Sequence, residues 1–263
     1  MIIPKPEDVQ SMHLSLSSLT YSYVKDASFT LGPLTLSIPT GGITALIGSN
    51  GSGKTTLIKI LLNELTHFSG SYRIGDAEVK DITASLMHRY NIGYAPEHPI
   101  LEERLSGHET MQLLKDIHGI TDDDYARQID ECREAFHLEE WFETLPCREY
   151  SQGMRKKVSL MIALAGSPEF IIIDEPTNGL DPIAIFGLKK ILARRQKDGL
   201  GALVSSHMLD FVERIADEVI ILKKGSTVFT GTVETIFKNH PGKNLDEIYY
   251  HLFTETPMVE LHE

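Results

Sequence analysis

The chain has 263 residues, enough for one large domain or two small ones with a sizeable core. Its 41% hydrophobic and 24% charged residues are those of a globular protein, which excludes global disorder and low complexity. With 25 basic and 37 acidic residues the formal charge is −12, which excludes nucleic acid as a principal partner because phosphate backbones require a basic surface.

The opening, MIIPKPEDVQ, has no basic segment followed by an apolar one, so no secretory leader is expected. Nor does any apolar run reach the roughly 18–20 residues that cross a bilayer. Residues 11–23, SMHLSLSSLTYSY, and 29–39, FTLGPLTLSIP, alternate apolar and polar positions between turn residues and predict an antiparallel β patch. From residue 43 the pattern changes. Strand-like runs at 43–48 (ITALIG), 91–95 (NIGYA), 170–174 (FIIID), 201–206 (GALVSS) and 218–225 (EVIILKKG) alternate with helical stretches KTTLIKILLNEL, KKVSLMIALA and IAIFGLKKILARRQ. This alternation predicts an α/β fold with a mostly parallel sheet covered by helices.

Residues of about 100–152 contain no convincing strand and read as a helical subdomain inserted into the sheet domain, with Ile129, Cys132, Phe136, Trp141, Phe142 and Leu145 on its inner face. Within it, residues 121–149 hold ten acids against three bases, as expected of a solvated helix face. Cys132 and Cys147 have neither metal-ligand spacing nor the makings of a disulfide framework. They are expected to pack in a reducing compartment, which places the protein in the cytoplasm. No segment repeats, so one domain is expected over 11–240, followed by a tail over 241–263 that is either a docked helix or a frayed end.

GSNGSGKTT at 48–56 fits G-x-x-x-x-G-K-[ST], a pattern that background composition yields in about 1% of chains this long. Here it also follows a predicted strand and opens a predicted helix, the setting of a phosphate-binding loop. Gly48, Ser49, Asn50, Gly51, Ser52 and Gly53 supply a tight loop whose N–H groups face a phosphate, while Lys54, Thr55 and Thr56 begin the helix. Lys54 is placed to reach the β- and γ-phosphates and Thr55 to offer a hydroxyl to Mg²⁺. Asp174 and Glu175 end a strand where ligands of open α/β sheets collect. Coupled to the loop, Asp174 is the expected Mg²⁺ carboxylate and Glu175 the group that orients or deprotonates water. His207, ending the next strand, is a candidate γ-phosphate hydrogen bonder.

In this order the motifs resemble the nucleotide-binding subunits of ABC transporters, over a span from about residue 12 to about residue 250. The resemblance implies that Glu97 stands at the glutamine-loop position, that YSQGM at 150–154 is the signature, and that NGLD ending at Asp181 is the D-loop. It implies that Ser151, Gln152 and Gly153 meet the γ-phosphate of ATP held by a second, opposed cassette, identical or not. Tyr23 falls where the family stacks an aromatic ring on adenine; a strand tyrosine packed on its neighbour, with Tyr21 as rival, is the alternative. Two departures from the family pattern matter: Glu97 replaces glutamine, and Met154 instead of glutamine ends the signature. YSQGMRKK, NGLDP, SSH and the tail NLDEIYYHLF resemble the ATPase subunits of ABC-2-type exporters.

The expected function is hydrolysis of ATP with Mg²⁺ to drive a separate integral membrane permease, with the chain peripheral on the inner face of the membrane. The alternative is a soluble ABC ATPase with a non-transport task such as iron–sulphur cluster assembly. A P-loop kinase would explain Gly48–Thr55 and Asp174 but leaves YSQGM, Asp181 and His207 without a role.

Overall fold

The computed structural model describes residues 13–23, 26–79 and 91–254. The opening segment MIIPKPEDVQ, residues 11–12 of the expected domain and the tail end 255–263 lie outside the described residues.

Two sheets carry the architecture. Strands β1 (His13–Tyr23), β2 (Asp26–Pro39), β4 (Ser69–Ile74) and β5 (Ala77–Glu78) make an antiparallel sheet in the order β2-β1-β4-β5. The second sheet is built around β3 (Ile43–Ile47), with β6 (Ile92–Ala95), β7 (Phe170–Asp174), β8 (Gly201–Ser206), β9 (Glu218–Lys223) and β10 (Ser226–Thr232) in the order β10-β9-β3-β8-β7-β6. All its pairs are parallel except β10 on β9.

Central strands buried on both faces read as continuous apolar runs, and β3, β7 and β8 are buried at every position. The strand period of two then deals their side chains to opposite cores. Leu46, Ile172, Leu203, Ile220 and Leu222 join the core beneath the antiparallel sheet and α1 (Lys54–Leu61). Ile171, Ile173, Ala202 and Val204 join the core under α5 (Gln152–Leu164) and α6 (Pro182–Lys197), with the inserted helices. Ala45, Ile47, Val219 and Ile221 face the third core, closed by α7 (Leu209–Glu213), α8 (Val233–Asn239) and α9 (Leu245–Thr254). Each fully buried aliphatic side chain contributes roughly 1.5–3 kcal/mol, so the layers hold one another.

The segment expected to be helical consists of α2 (Gly107–His118), α3 (Asp122–Phe136), α4 (Trp141–Thr144) and a 3-10 turn at Cys147–Glu149. On its inner face Ile129, Cys132, Phe136 and Phe142 are buried, and Trp141 and Leu145 pack beside them. The backbone of α3 lies close against α6: a Cβ on Gly187 would fall 1.9 Å from the Ala135 carbonyl oxygen. Next to that contact the Arg195 guanidinium donates twice to Glu131, at 3.1 and 2.6 Å.

The antiparallel patch of the sequence reading is present as β1 and β2. Strands β4, β5 and β10 and helices α7 and α8 have no counterpart in the sequence expectation. β4 opens on Ser69 and Gly70, and β10 buries none of its residues, so neither offers an apolar run to read. Of the tail, α9 buries Leu245 and Ile248 in the third core, and Lys223 donates to the Phe253 carbonyl at 2.7 Å.

Candidate functional site

Because β3, β8, β7 and β6 are parallel, their C-terminal ends meet along one edge of the sheet, where ligands of such folds bind. The register fixes which residues become neighbours: Ile47 pairs with Ser206, Asp174 with Ser205 and Ala95 with Ile173. The next residues of each strand, Gly48, His207, Glu175 and the 96–97 segment, are thereby brought together although far apart in sequence.

They border a cleft of about 510 Å³ lined by Ser49, Asn50, Gly51, Gly53, Lys54, Thr55 and Thr56 from the glycine loop, and by Glu97, Asp174, Glu175 and His207 from the other strand ends. Phe29 and Asn178 complete the lining. Helix α1 begins on Gly53, in the left-handed region at φ 109°, with no side chain capping it and no acid in its first turn. The other long helices differ: Ser106, Thr121, Ser151 and Asp181 cap α2, α3, α5 and α6. The uncapped N–H groups of α1 therefore point to the cleft with the positive end of the helix dipole behind them.

Inside the cleft Lys54 Nζ donates to the Gly48 carbonyl at 2.7 Å and lies 3.6 Å from Glu175 Oε1. The other carboxylate oxygen of Glu175 accepts from His207 Nδ1 at 2.7 Å. Glu175 adopts φ 46°, sparsely populated for a side chain of this kind, and its backbone N–H donates to Ser205 Oγ at 3.0 Å. The Ser205 hydroxyl in turn donates to Asp174. One serine thus orients both acids, and only the strand register puts it there. Burial pushes the Asp174 carboxyl up from its ordinary value, reinforced by Glu97 and Glu175 and opposed by the Ser205 hydrogen bond and Lys156. Glu97 accepts from Asn178 Nδ2 at 3.1 Å.

Among the described residues no group of three or more His, Cys, Asp and Glu side chains converges as a ready metal cage. The oxygen donors at hand, the Thr55 hydroxyl and the carboxylates of Asp174 and Glu97, are hard ligands of the kind Mg²⁺ takes alongside substrate phosphates.

Of the remaining candidates, Gly48 adjoins the cleft through Lys54 and the others lie outside it. Gly48 accepts from Lys54, and Ser52 is buried in the loop with its N–H donating to Ser49 at 3.0 Å. The Tyr23 hydroxyl shares a hydrogen bond with Thr56 Oγ1 at 3.2 Å, and its ring meets Tyr21 edge-on at 5.0 Å. The aromatic ring on the cleft wall is Phe29. Ser151 and Gln152 are exposed at the start of α5, and Ser151 Oγ accepts from Met154 N–H at 3.2 Å as an ordinary cap. Gly153 packs on the 177–180 loop, where a Cβ would come 2.7 Å from the Gly179 carbonyl oxygen. Asp181 caps α6 through Ala184 N–H at 2.8 Å and pairs with Lys157 at 3.1 Å. That bond, and then Lys157, hold its carboxyl below the ordinary value.

Sequence reasoning did not find Ser205, Asn178, Phe29 or Lys156. In SSH only His207 carries a chemical signal of its own, and the others need the register or the helix packing to reach the cleft.

A parallel strand ending in a glycine loop and an uncapped helix, with acids on the adjoining strand ends, defines a nucleotide-binding α/β ATPase of the P-loop kind. Residues 31–178 match the sequence profile of the ABC transporter family, and the chain belongs to that family. It is similar to the ABC-type transporter ATP-binding protein EcsA of Bacillus subtilis, 31% identical over 92% of this chain and 97% of that one. A similar relative is the lantibiotic transport ATP-binding protein SrtF of Streptococcus pyogenes, 30% identical over 90% of this chain and 95% of its own length. Among solved structures, an ATP-binding subunit of an ABC transporter superposes with a TM-score of 0.81 at 31% identity over 91% of this chain and 99% of that one. CbiO1 of Clostridium perfringens, part of the complex cbiONQ, gives 0.71 at 25% identity over 87% and 92%. The chain is an ATP-binding subunit of an ABC transporter, and its reaction is the hydrolysis of ATP that powers transport. A non-transport ATPase is not favoured by these relatives.

Proposed function

We propose that the chain is the Mg²⁺-dependent ATPase subunit of an exporter of the ABC-2 type, working as one of two cassettes opposed head to tail beneath an integral membrane permease. The observation that carries this reading is the division of the candidates. Lys54, Thr55, Asp174, Glu175 and His207 share one cleft, while Ser151 and Gln152 stand exposed outside it on the N-terminus of a different helix. A helix N-terminus with free surface suits the γ-phosphate of a nucleotide held elsewhere.

In this reading the α1 N–H groups and Lys54 hold the β- and γ-phosphates. Thr55, Asp174 and Glu97 would hold Mg²⁺, which supplies neutralisation of phosphate charge when bound. Glu175 takes the proton of the attacking water, held in place by Ser205 and by the imidazole of His207, which also reaches the γ-phosphate. Ser151, Gln152 and Gly153 close the partner's site, and the 177–181 loop that they touch conveys closure between the two. Tyr23 or Phe29 covers the base.

The cassette domain spans 11–240, with 241–263 as an appended tail. Among the described residues no helix is long and apolar enough to cross a membrane. Attachment to the cytoplasmic face is through the permease, as for subunits of transporter complexes. SrtF, by its name a lantibiotic transport protein, is the relative that favours export.

The test is the solution mass of Glu175→Gln by light scattering with and without Mg-ATP, beside Glu175→Gln/Ser151→Arg. A dimer that forms only with ATP and fails in the double variant is the expected result. A monomer that binds ATP in every condition would remove the paired-cassette reading for this chain alone.

A further inference from the structure

Lys156 lies on α5, five residues beyond Ser151, and only 1% of its surface is exposed. A lysine this buried is rare, because removing an ammonium from water is costly unless its protons and its charge are met. Its protons are met by two backbone carbonyls: Nζ donates to Pro96 at 2.9 Å and to Asp174 at 2.8 Å. These carbonyls end the adjacent parallel strands β6 and β7, whose next or same residues carry the carboxylates of Glu97 and Asp174.

Its charge is met at longer range. The ammonium feels the fields of Asp174, Glu97 and Glu175, while burial, the largest influence, pulls its pKa down to about 8. The cleft thus gathers three carboxylates, one of them Glu97 at a position where the resemblance leads one to expect a neutral amide. The cations beside them are Lys54, at the glycine loop, and Lys156, beneath the two strand ends.

We propose that Lys156 is a positioning residue of the ATPase site: its ammonium ties the Pro96 carbonyl to the Asp174 carbonyl, setting Glu97 beside Asp174, and its positive charge offsets the extra carboxylate of Glu97. The proposal rests on the reading of the cleft as the ATP site. It makes Lys156 the counter-charge of Glu97, so that the Glu97 carboxylate is harmful to ATP binding once Lys156 is removed. It also gives α5, the helix that begins with Ser151, a direct hold on the acidic strand ends.

The test is a double-mutant cycle of wild type, Glu97→Gln, Lys156→Gln and the double variant. Two quantities are measured: ATP affinity in EDTA by titration calorimetry, and the melting temperature without nucleotide. Lys156→Gln should weaken Mg-free ATP binding about fivefold and Glu97→Gln strengthen it by a similar factor, with the double variant back within about twofold of wild type. A Lys156 that merely filled space would leave Mg-free ATP affinity unchanged on Lys156→Gln, and the coupling of the pair is read from the melting temperatures. In the nucleotide-free protein, Lys156→Gln should cost about 2–4 °C less when Glu97 is already glutamine.

Equal losses in both backgrounds, or a double variant that binds no better than Lys156→Gln, would overturn the pairing. Should Lys156→Gln fail to fold, the double variant decides: recovery of a folded protein is expected, and equal failure counts against the proposal. Absence of ATP binding by wild type would overturn the ATP-site reading instead, and the melting temperatures still judge the pair.

Discussion

Glu175 shows how one residue is shaped by several others. Its φ of 46° turns the chain sharply at the strand end, the Ser205 hydroxyl fixes its N–H, and Lys54 and His207 sit on either side of its carboxylate. Positive φ at a non-glycine residue costs of order 1 kcal/mol or more, and such strain gathers where a side chain must be aimed. Replacing the carboxylate by an isosteric amide keeps the shape and removes the base. Glu175→Gln should therefore still bind ATP while phosphate release falls roughly 10²–10⁴-fold. Lys54→Ala should lose ATP binding itself, since its ammonium is the cation nearest the glycine loop; an unchanged rate of hydrolysis would sink the assignment of the cleft.

At the scale of elements, the site is an arrangement of helix ends. α1 starts without a cap and leaves its N–H groups for a ligand, whereas α5 and α6 start on Ser151 and Asp181, each of which accepts from one N–H of its helix. Asp181→Ala should cost about 1 kcal/mol through loss of the cap, read as a lower melting temperature at neutral pH. The charge has its own signature. Because the Ala184 N–H and Lys157 hold the Asp181 carboxyl below its ordinary 3.8, its anion adds stability that is complete above that value. That contribution fades as the pH falls through the lowered value. Asp181→Asn, which keeps the oxygen acceptor, should be less stable than wild type at pH 7 and indistinguishable from it in strong acid, as thermal melts across the range would show.

For the molecule as a whole, the three cores mean that the sheet is covered from every side and that the last described helix is part of the cover. Ile248 is fully buried among Ala45, Ile47, Val219 and Ile221, side chains of the strands that carry the glycine loop and its neighbour. On the same helix Tyr249 lies beside Ser49 of that loop. Ile248→Ala should cost about 2–5 kcal/mol, like other large-to-small changes in a packed interior. It should also weaken ATP binding, because the helix touches the loop. A denaturant midpoint equal to that of wild type would show that α9 is dispensable.

Much of this was legible in the sequence. Continuous apolar runs identified β3, β7, β8 and β9 because strands buried on both faces have no polar face to show. GSNGSGKTT and FIIIDE identified their chemistry because phosphate cradling requires glycine, lysine and hydroxyl residues at fixed spacing along one strand–helix turn. What the sequence could not carry was anything depending on which strands become neighbours. The pairing of Asp174 with Ser205 decides that a serine with no chemical signal of its own in the sequence orients both acids. The packing of α5 on β6 and β7 decides that Lys156, one basic residue in the run RKK, is buried beneath them while Lys157 pairs with Asp181. Local spacing determines what a segment can do, since those contacts lie within one turn or one strand. Which carbonyl, carboxylate or helix end stands opposite is set by sheet order and register, and these follow from burying all the apolar faces at once.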